Sequence, residues 1–271
     1  MKNADIYTSL PLAQFMSYRD EIIQAILDVC HSGIYILGNE VAAFEKKFAD
    51  YHQSQYCAGV GSGTDALILA MKALGISSGD EVITVAHTAL ATVAAIVAVG
   101  ATPVLVDVEE EFYMLDPKKL LAAISERTRA IIPVHLYGQP CDMHPIMKFA
   151  KNHNLKVIED CAQATGAEYH QQKVGTFGDA GCFSFYPTKN LGGIGDGGAI
   201  ITNNESIFKK VNALRQYGWD ENRVAQTTST VSRLDELQAA ILCVKLKYLD
   251  RQNENRRKIA NYYNMYLINS S

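Results

Sequence analysis

The 271-residue chain has no Cys-x-x-Cys pair; its six cysteines are scattered at positions 30, 57, 141, 161, 182 and 243. That spacing suggests neither a zinc site nor a dense disulfide framework, and the cysteines read as reduced, buried small hydrophobes. No metal site is expected. The start, Met1-Lys2-Asn3-Ala4-Asp5, leads into no apolar h-region, which argues against a secretory signal and predicts a cytoplasmic protein. Blocks of like charge are also missing. With 25 Lys and Arg against 29 Asp and Glu, the net charge is −4, so neither nucleic acid nor anionic lipid is an expected partner. The stretch between His87 and Val106 carries no charge, but Thr88, Thr92, Gly100, Thr102 and Pro103 interrupt it. It predicts a buried helix and then a strand, with no membrane span. There is no internal repeat and no low-complexity tract.

What is present is an ordinary globular composition, 48% hydrophobic and 20% charged with 19 Gly and 7 Pro, long enough for one large core or two small ones. Apolar spacing predicts a helix over 17–33, with Ser17 as N-cap and Gly33 as stop; Val41, Phe44, Phe48 and Tyr51 mark a second. Both are expected to lie as lids on the main domain. From residue 55, short β runs alternate with helices: strands at 55–60, 81–86, 102–107, 130–134 and 156–159, helices at 63–74, 89–99, 116–124 and 142–153. Two strands near 181–186 and 199–202 follow without a long helix between them, then a helix over 205–216 and one long helix over 232–266. Repeated β-α-β units predict an α/β protein, a mostly parallel central sheet with helices on both faces.

Three segments could carry chemistry, each at the end of a predicted strand. Gly59-Val60-Gly61-Ser62-Gly63-Thr64-Asp65 lies between strand and helix, where backbone N–H groups and the helix dipole suit a phosphate. A dinucleotide fingerprint fits it badly, because the third glycine would fall on Thr64 and the next strand ends in Ala86-His87 with no acidic residue for a ribose. A phosphate cradle for another cofactor and a ligand-free glycine turn both remain open. Asp160, in Glu159-Asp160-Cys161-Ala162-Gln163, sits at the carboxyl end of a buried strand, where a carboxylate needs a partner. A pyridinium nitrogen is one such partner; capping the next turn is the plainer alternative. Lys189, in Ser184-Phe185-Tyr186-Pro187-Thr188-Lys189-Asn190 and just before a glycine-rich run, has the surroundings of a Schiff-base amine, although a surface lysine would look similar in isolation. The three parts in chain order favour a cofactor site.

These segments, with Gly195-Asp196-Gly197-Gly198 and Ser232-Arg233-Leu234-Asp235-Glu236-Leu237-Gln238-Ala239, resemble the DegT/DnrJ/StrS sugar aminotransferases, pyridoxal phosphate enzymes of fold type I that aminate nucleotide-linked keto sugars. The resemblance runs from about Leu10 to the end. It implies the fold type I large domain and pyridoxal 5'-phosphate as cofactor. Lys189 would be the cofactor-bound amine and proton carrier, Asp160 the partner of the ring nitrogen, and Gln163 a neighbour of the ring hydroxyl. Thr64 and Ser184 would hold the phosphate beside Gly63. Family members that act as dehydratases carry histidine at the lysine position, so Lys189 implies transamination.

Two positions depart from the family pattern. Thr88 is followed by Ala89 where an aromatic usually covers the ring, which leaves His87 as the expected stacking face, or else as a hydrogen-bonded histidine at a strand end. Val231 replaces an Asn that would reach the partner subunit's phosphate site. The segment His87-Thr88-Ala89 with Thr92-Val93-Ala94-Ala95-Ile96 resembles the branch acting on dTDP-linked 3-keto-6-deoxyhexoses. The resemblance further implies a homodimer and glutamate as amino donor, with 1–231 as the cofactor-binding large domain and 232–271 as a helix leading to a truncated small domain. An inactive cofactor-binding or dimerisation remnant is the alternative, and a dehydrogenase a distant third.

Overall fold

The computed structural model describes residue 7 and residues 9–267. The amino-terminal part is helical: α1 (Pro11–Ser17), α2 (Arg19–Ser32) and α3 (Asn39–His52). Strand β1 (Tyr56–Val60) then leads into α4 (Gly63–Ala73), β2 (Glu81–Val85), α5 (Leu90–Ala98) and β3 (Thr102–Val106). Next come α6 (Leu120–Ala123), β4 (Thr128–Ile131), α7 (Met143–Asn152) and β5 (Lys156–Asp160). A two-residue hairpin, β6 (Glu168–Tyr169) with β7 (Gln172–Lys173), precedes β8 (Ala180–Ser184) and β9 (Gly198–Thr202). Helices α8 (Glu205–Leu214), α9 (Glu236–Leu246) and α10 (Leu249–Leu267) complete the described chain.

Seven strands form one sheet in the order β1-β9-β8-β5-β4-β2-β3. Pairings from β8 across to β3 are parallel, and β9 runs antiparallel to both of its neighbours. The reversal follows from connectivity: β8 reaches β9 through the 185–197 connection with no crossover helix, and a direct return can only pair antiparallel. Lys189 lies on that connection.

Alternation along the strands divides the apolar side chains between two faces. On β8, Ala180 and Cys182 join the cluster formed with α4, α5 and α8, whereas Phe183, with Phe185 just beyond the strand end, packs with Phe44 and Phe48 of α3 and Leu242 of α9. The rings of Phe44, Phe48, Phe183 and Phe185 meet edge to face at about 5 Å, and each fully buried aromatic contributes roughly 1.5–3 kcal/mol through the area it removes from water. A third cluster places Ile83, Val85 and Ile131 against Leu120, Met143 and Ile146, closing the far end of the same face with α6 and α7.

Several expectations are corrected. Ser17 does not cap the second helix: it ends α1, its Oγ donating to Ala13 O (2.9 Å), and Tyr18 occupies the N-cap of α2 without a side-chain cap. Gly33 does stop that helix, at φ 68°. The single helix expected over 232–266 is two, α9 and α10, separated at Lys247 and Tyr248. The break lets Tyr248 stack on Tyr18, ring centroids 4.2 Å apart. Helix 116–124 is reduced to a 3-10 turn at Pro117–Lys119 followed by the short α6. Leu234, Ala239, Leu242 and Cys243 share a core with residues of α3 and β8.

Candidate active site

The carboxyl ends of β5 and β8, the β1–α4 turn and the segment before α5 converge on a cleft of about 230 Å³. Gly63, Thr64, Gln163, Asp160, Ser184 and Lys189 all line it, so six of the seven residues expected from the sequence lie together. His87 does not. Thr88 and Ala89 supply that wall, and the His87 ring stands edge-on to Tyr113 and Tyr137 at 6.4 and 6.0 Å.

The turn before α4 is built for close approach. Ser62 caps the helix, its Oγ accepting from Asp65 N (3.1 Å), while helix geometry leaves the Gly63 and Thr64 N–H groups without intrahelical acceptors. A Cβ on Gly63 would lie 2.6 Å from Ser184 Cβ, and one on Gly198 would collide with Ser62 O. Ser232 fastens the turn from a distance: its Oγ accepts from Gly61 N and donates to Asp65 Oδ2, both at 2.9 Å across 171 and 167 residues.

Asp160 is 5% exposed. Its Oδ2 accepts from Thr92 Oγ1 (2.8 Å) and its Oδ1 from Ala162 N (3.1 Å); Thr92 in turn shares a 2.7 Å hydrogen bond with Thr88 at the cleft wall. Burial pushes the Asp160 carboxyl above its ordinary range, opposed by those two donors and by the positive charge of Lys189. Burial likewise lowers the Lys189 ammonium, with Asp160 pulling the other way. Gln163 faces the cleft with its Oε1 accepting from Tyr137 N (2.9 Å). Thr92 went unassigned in the sequence because its partner lies 68 residues away; the only available signal was a polar residue in an otherwise apolar helix.

These residues fit pyridoxal phosphate. A helix N-terminus with a cradle that a Cβ would fill suits the phosphate, and a buried carboxylate with spare lone pairs suits a protonated ring nitrogen. Among the described residues, one group, His135, Glu159 and Cys161, is close enough to hold a metal. Its Glu159 and His135 already have other partners. Glu159 accepts from Gly175, Phe177 and Gly178 N–H (2.7–2.8 Å) and from His135 Nε2 (3.1 Å), while His135 Nδ1 accepts from Cys141 N. Val231, at the position of the second departure, is exposed and bridges to Gln216.

A sequence profile of the DegT/DnrJ/EryC1/StrS aminotransferase family matches residues 16–270. The chain is 53% identical over 248 residues to a dTDP-3-amino-3,6-dideoxy-alpha-D-galactopyranose transaminase of Aneurinibacillus thermoaerophilus, covering 92% of this chain and 68% of that protein. In three dimensions it resembles DesV of S. venezuelae, solved with a ketimine intermediate, at a TM-score of 0.94 and 44% identity over 96% of this chain and 70% of that one. It also resembles NtdA of Bacillus subtilis with bound PMP, at 0.91 and 34% over 99% and 62%. No helix among the described residues is long and apolar enough to cross a membrane.

Proposed function

The chain belongs to the DegT/DnrJ/EryC1/StrS aminotransferase family, and on that premise we propose that it moves an amino group from glutamate to the keto carbon of a dTDP-linked 3-keto-6-deoxyhexose. The observation that carries this reading is the meeting of Lys189, buried Asp160 and the α4 N-terminus in one cleft. The 3-keto and dTDP assignments lean on the named activity of the Aneurinibacillus relative. A cytoplasmic homodimer is part of the same reading.

Pyridoxal 5'-phosphate, when bound, supplies an electron sink for the carbon that loses its proton. The residues then divide the work. Gly63 and Thr64 N–H, with the Thr64 and Ser184 hydroxyls, would hold the phosphate, and Gln163 would lie beside the ring hydroxyl. Asp160, aimed by Thr92 and Ala162, would pair with the ring nitrogen and keep it protonated. Lys189 Nζ would hold the cofactor and, once displaced, take the proton from the donor's α-carbon and deliver it onward. Its burial favours that task, because a lowered pKa leaves more free amine near neutral pH.

The test loads the protein with pyridoxal phosphate, reduces it with borohydride and maps the modified peptide. The cofactor should be retained on Lys189; retention on another lysine, or none, overturns the site. An assay with glutamate and a dTDP-linked 3-keto sugar, beside UDP-linked and 4-keto alternatives, tests the substrate, and light scattering tests the dimer. A fold that binds cofactor yet turns over none of these sugars would favour the inactive remnant.

A further inference from the structure

The 185–197 connection is gripped from behind by side chains outside the cleft. Lys245, on α9, is 2% exposed, and its Nζ donates to Gly192 O (2.6 Å) and to Gln14 Oε1 (3.1 Å). Gln14, on α1, donates through Nε2 to Asn190 O (3.3 Å) and to Gln252 Oε1 (2.9 Å). The two thus hold the carbonyls of the first and third residues after Lys189. The acceptors of Lys245 are a neutral amide and a backbone carbonyl, with no carboxylate among them, and an ammonium buried without one is costly. Burial draws its pKa down to about 8. An apolar side chain would fill the same space at lower cost, so the cation has to be explained by what it holds.

What it holds is a tightly wound turn. Lys189 N donates to Tyr186 O (2.8 Å) and Gly193 N to Phe185 O (2.7 Å), while a Cβ on Gly192 would lie 2.5 Å from Pro187 O. Asn190 Nδ2 adds a bond to Thr165 O (2.7 Å), and Gln238 Oε1 accepts from Ile194 N (2.8 Å). Packing that close gives the turn little room for a partial slip.

We propose that Lys245 and Gln14 are positioning residues, which fix the turn so that the Lys189 amine stays at the cleft floor near Asp160. This rests on Lys189 being the reactive amine. Neither residue lines the cleft, so both act through the backbone they hold.

The test is competitive trace acylation of cofactor-free protein from pH 6 to pH 11, with Lys189 labelling read by peptide mass spectrometry. In Lys245→Met the midpoint for Lys189 should move upward, toward that of an exposed lysine, because the relaxed turn returns the amine to water. Gln14→Ala, a change on a half-buried side chain, should move it the same way by less, and Lys245→Arg, which keeps a buried donor, should return it toward the parent. An unmoved midpoint in both Lys245→Met and Gln14→Ala, whatever happens to thermal stability, would falsify the proposal. Should Lys245→Met fail to fold, Gln14→Ala decides alone. Borohydride trapping on the parent protein separates the two levels: cofactor trapped away from Lys189 refutes the functional reading, whereas trapping on Lys189 with unmoved midpoints refutes only the positioning.

Discussion

Two carboxylates stand side by side at the end of β5 and meet opposite fates. Glu159, pointing to one face, is fully buried and receives three backbone N–H groups and the His135 ring. Asp160, pointing to the other, receives two donors and opens on the cleft. A carboxylate has about four acceptor positions, so Glu159 is filled by the fold whereas Asp160 keeps capacity for a ligand. Saturation marks the member of the pair that builds the protein, and spare capacity the one that serves it.

The comparison can be broken most severely through the amine that faces Asp160. Lys189→Ala should abolish turnover and covalent cofactor retention while leaving the thermal midpoint within a few degrees, as measured by the coupled assay, borohydride trapping and calorimetry. On the other face, Glu159→Gln should cost about 3–5 kcal/mol in urea unfolding, because an amide nitrogen cannot accept what the lost oxygen accepted and a buried network is left unpaired. A loss under 1 kcal/mol would remove the distinction between the two acids.

Asp160→Asn should show the inverse pattern, turnover falling by roughly 10²–10³ with half-reaction kinetics carrying the loss. The unliganded protein should meanwhile become no less stable. The sign follows from linkage: burial raises the Asp160 pKa in the folded state, so its stabilising contribution is present below the unfolded pKa and is lost as pH rises through the folded one. Above the folded pKa the ionised group is therefore a burden that the amide relieves. Equal destabilisation at pH 4 and pH 7 would contradict this. Thr92→Val is the smallest change, about 1 kcal/mol in the catalytic step, and should leave cofactor affinity nearly intact. If it abolished binding, Thr92 would have to touch the ligand itself.

The pair also shows what a sequence can and cannot disclose. Asp160 was legible because it sits at a strand end among small residues, and strand ends are where open α/β sheets bind ligands. Glu159 carried no such signal, since its partners are the His135 ring and backbone groups at 175–178 that no side-chain pattern marks. The alternation of strands and helices from residue 55 onward was readable from hydrophobic period alone, and the strands appear within about three residues of the expected bounds. The break between α9 and α10 was not. No proline or glycine stands there, and apolar positions at 244, 246 and 248 carry the helical pattern across it. Tertiary packing of Tyr248 on Tyr18 decides the turn. His87 was expected at the ring because Ala89 stands where the family pattern has an aromatic; the His87 ring instead meets Tyr113 and Tyr137, far along the chain.

The long reach of Ser232 to Gly61 has a consequence in time. A contact closing across 171 residues belongs to the slow, non-local class of folding events, whereas the β8–β9 hairpin that carries Lys189 is local and can form early. The Gly61 and Asp65 contacts of the turn before α4 close when Ser232, late in the chain, returns to them. During refolding the lysine should therefore become structured before the place where phosphate would sit. Capture of cofactor from solution would then report the last stage of chain assembly, lagging behind the recovery of far-ultraviolet dichroism in a stopped-flow experiment.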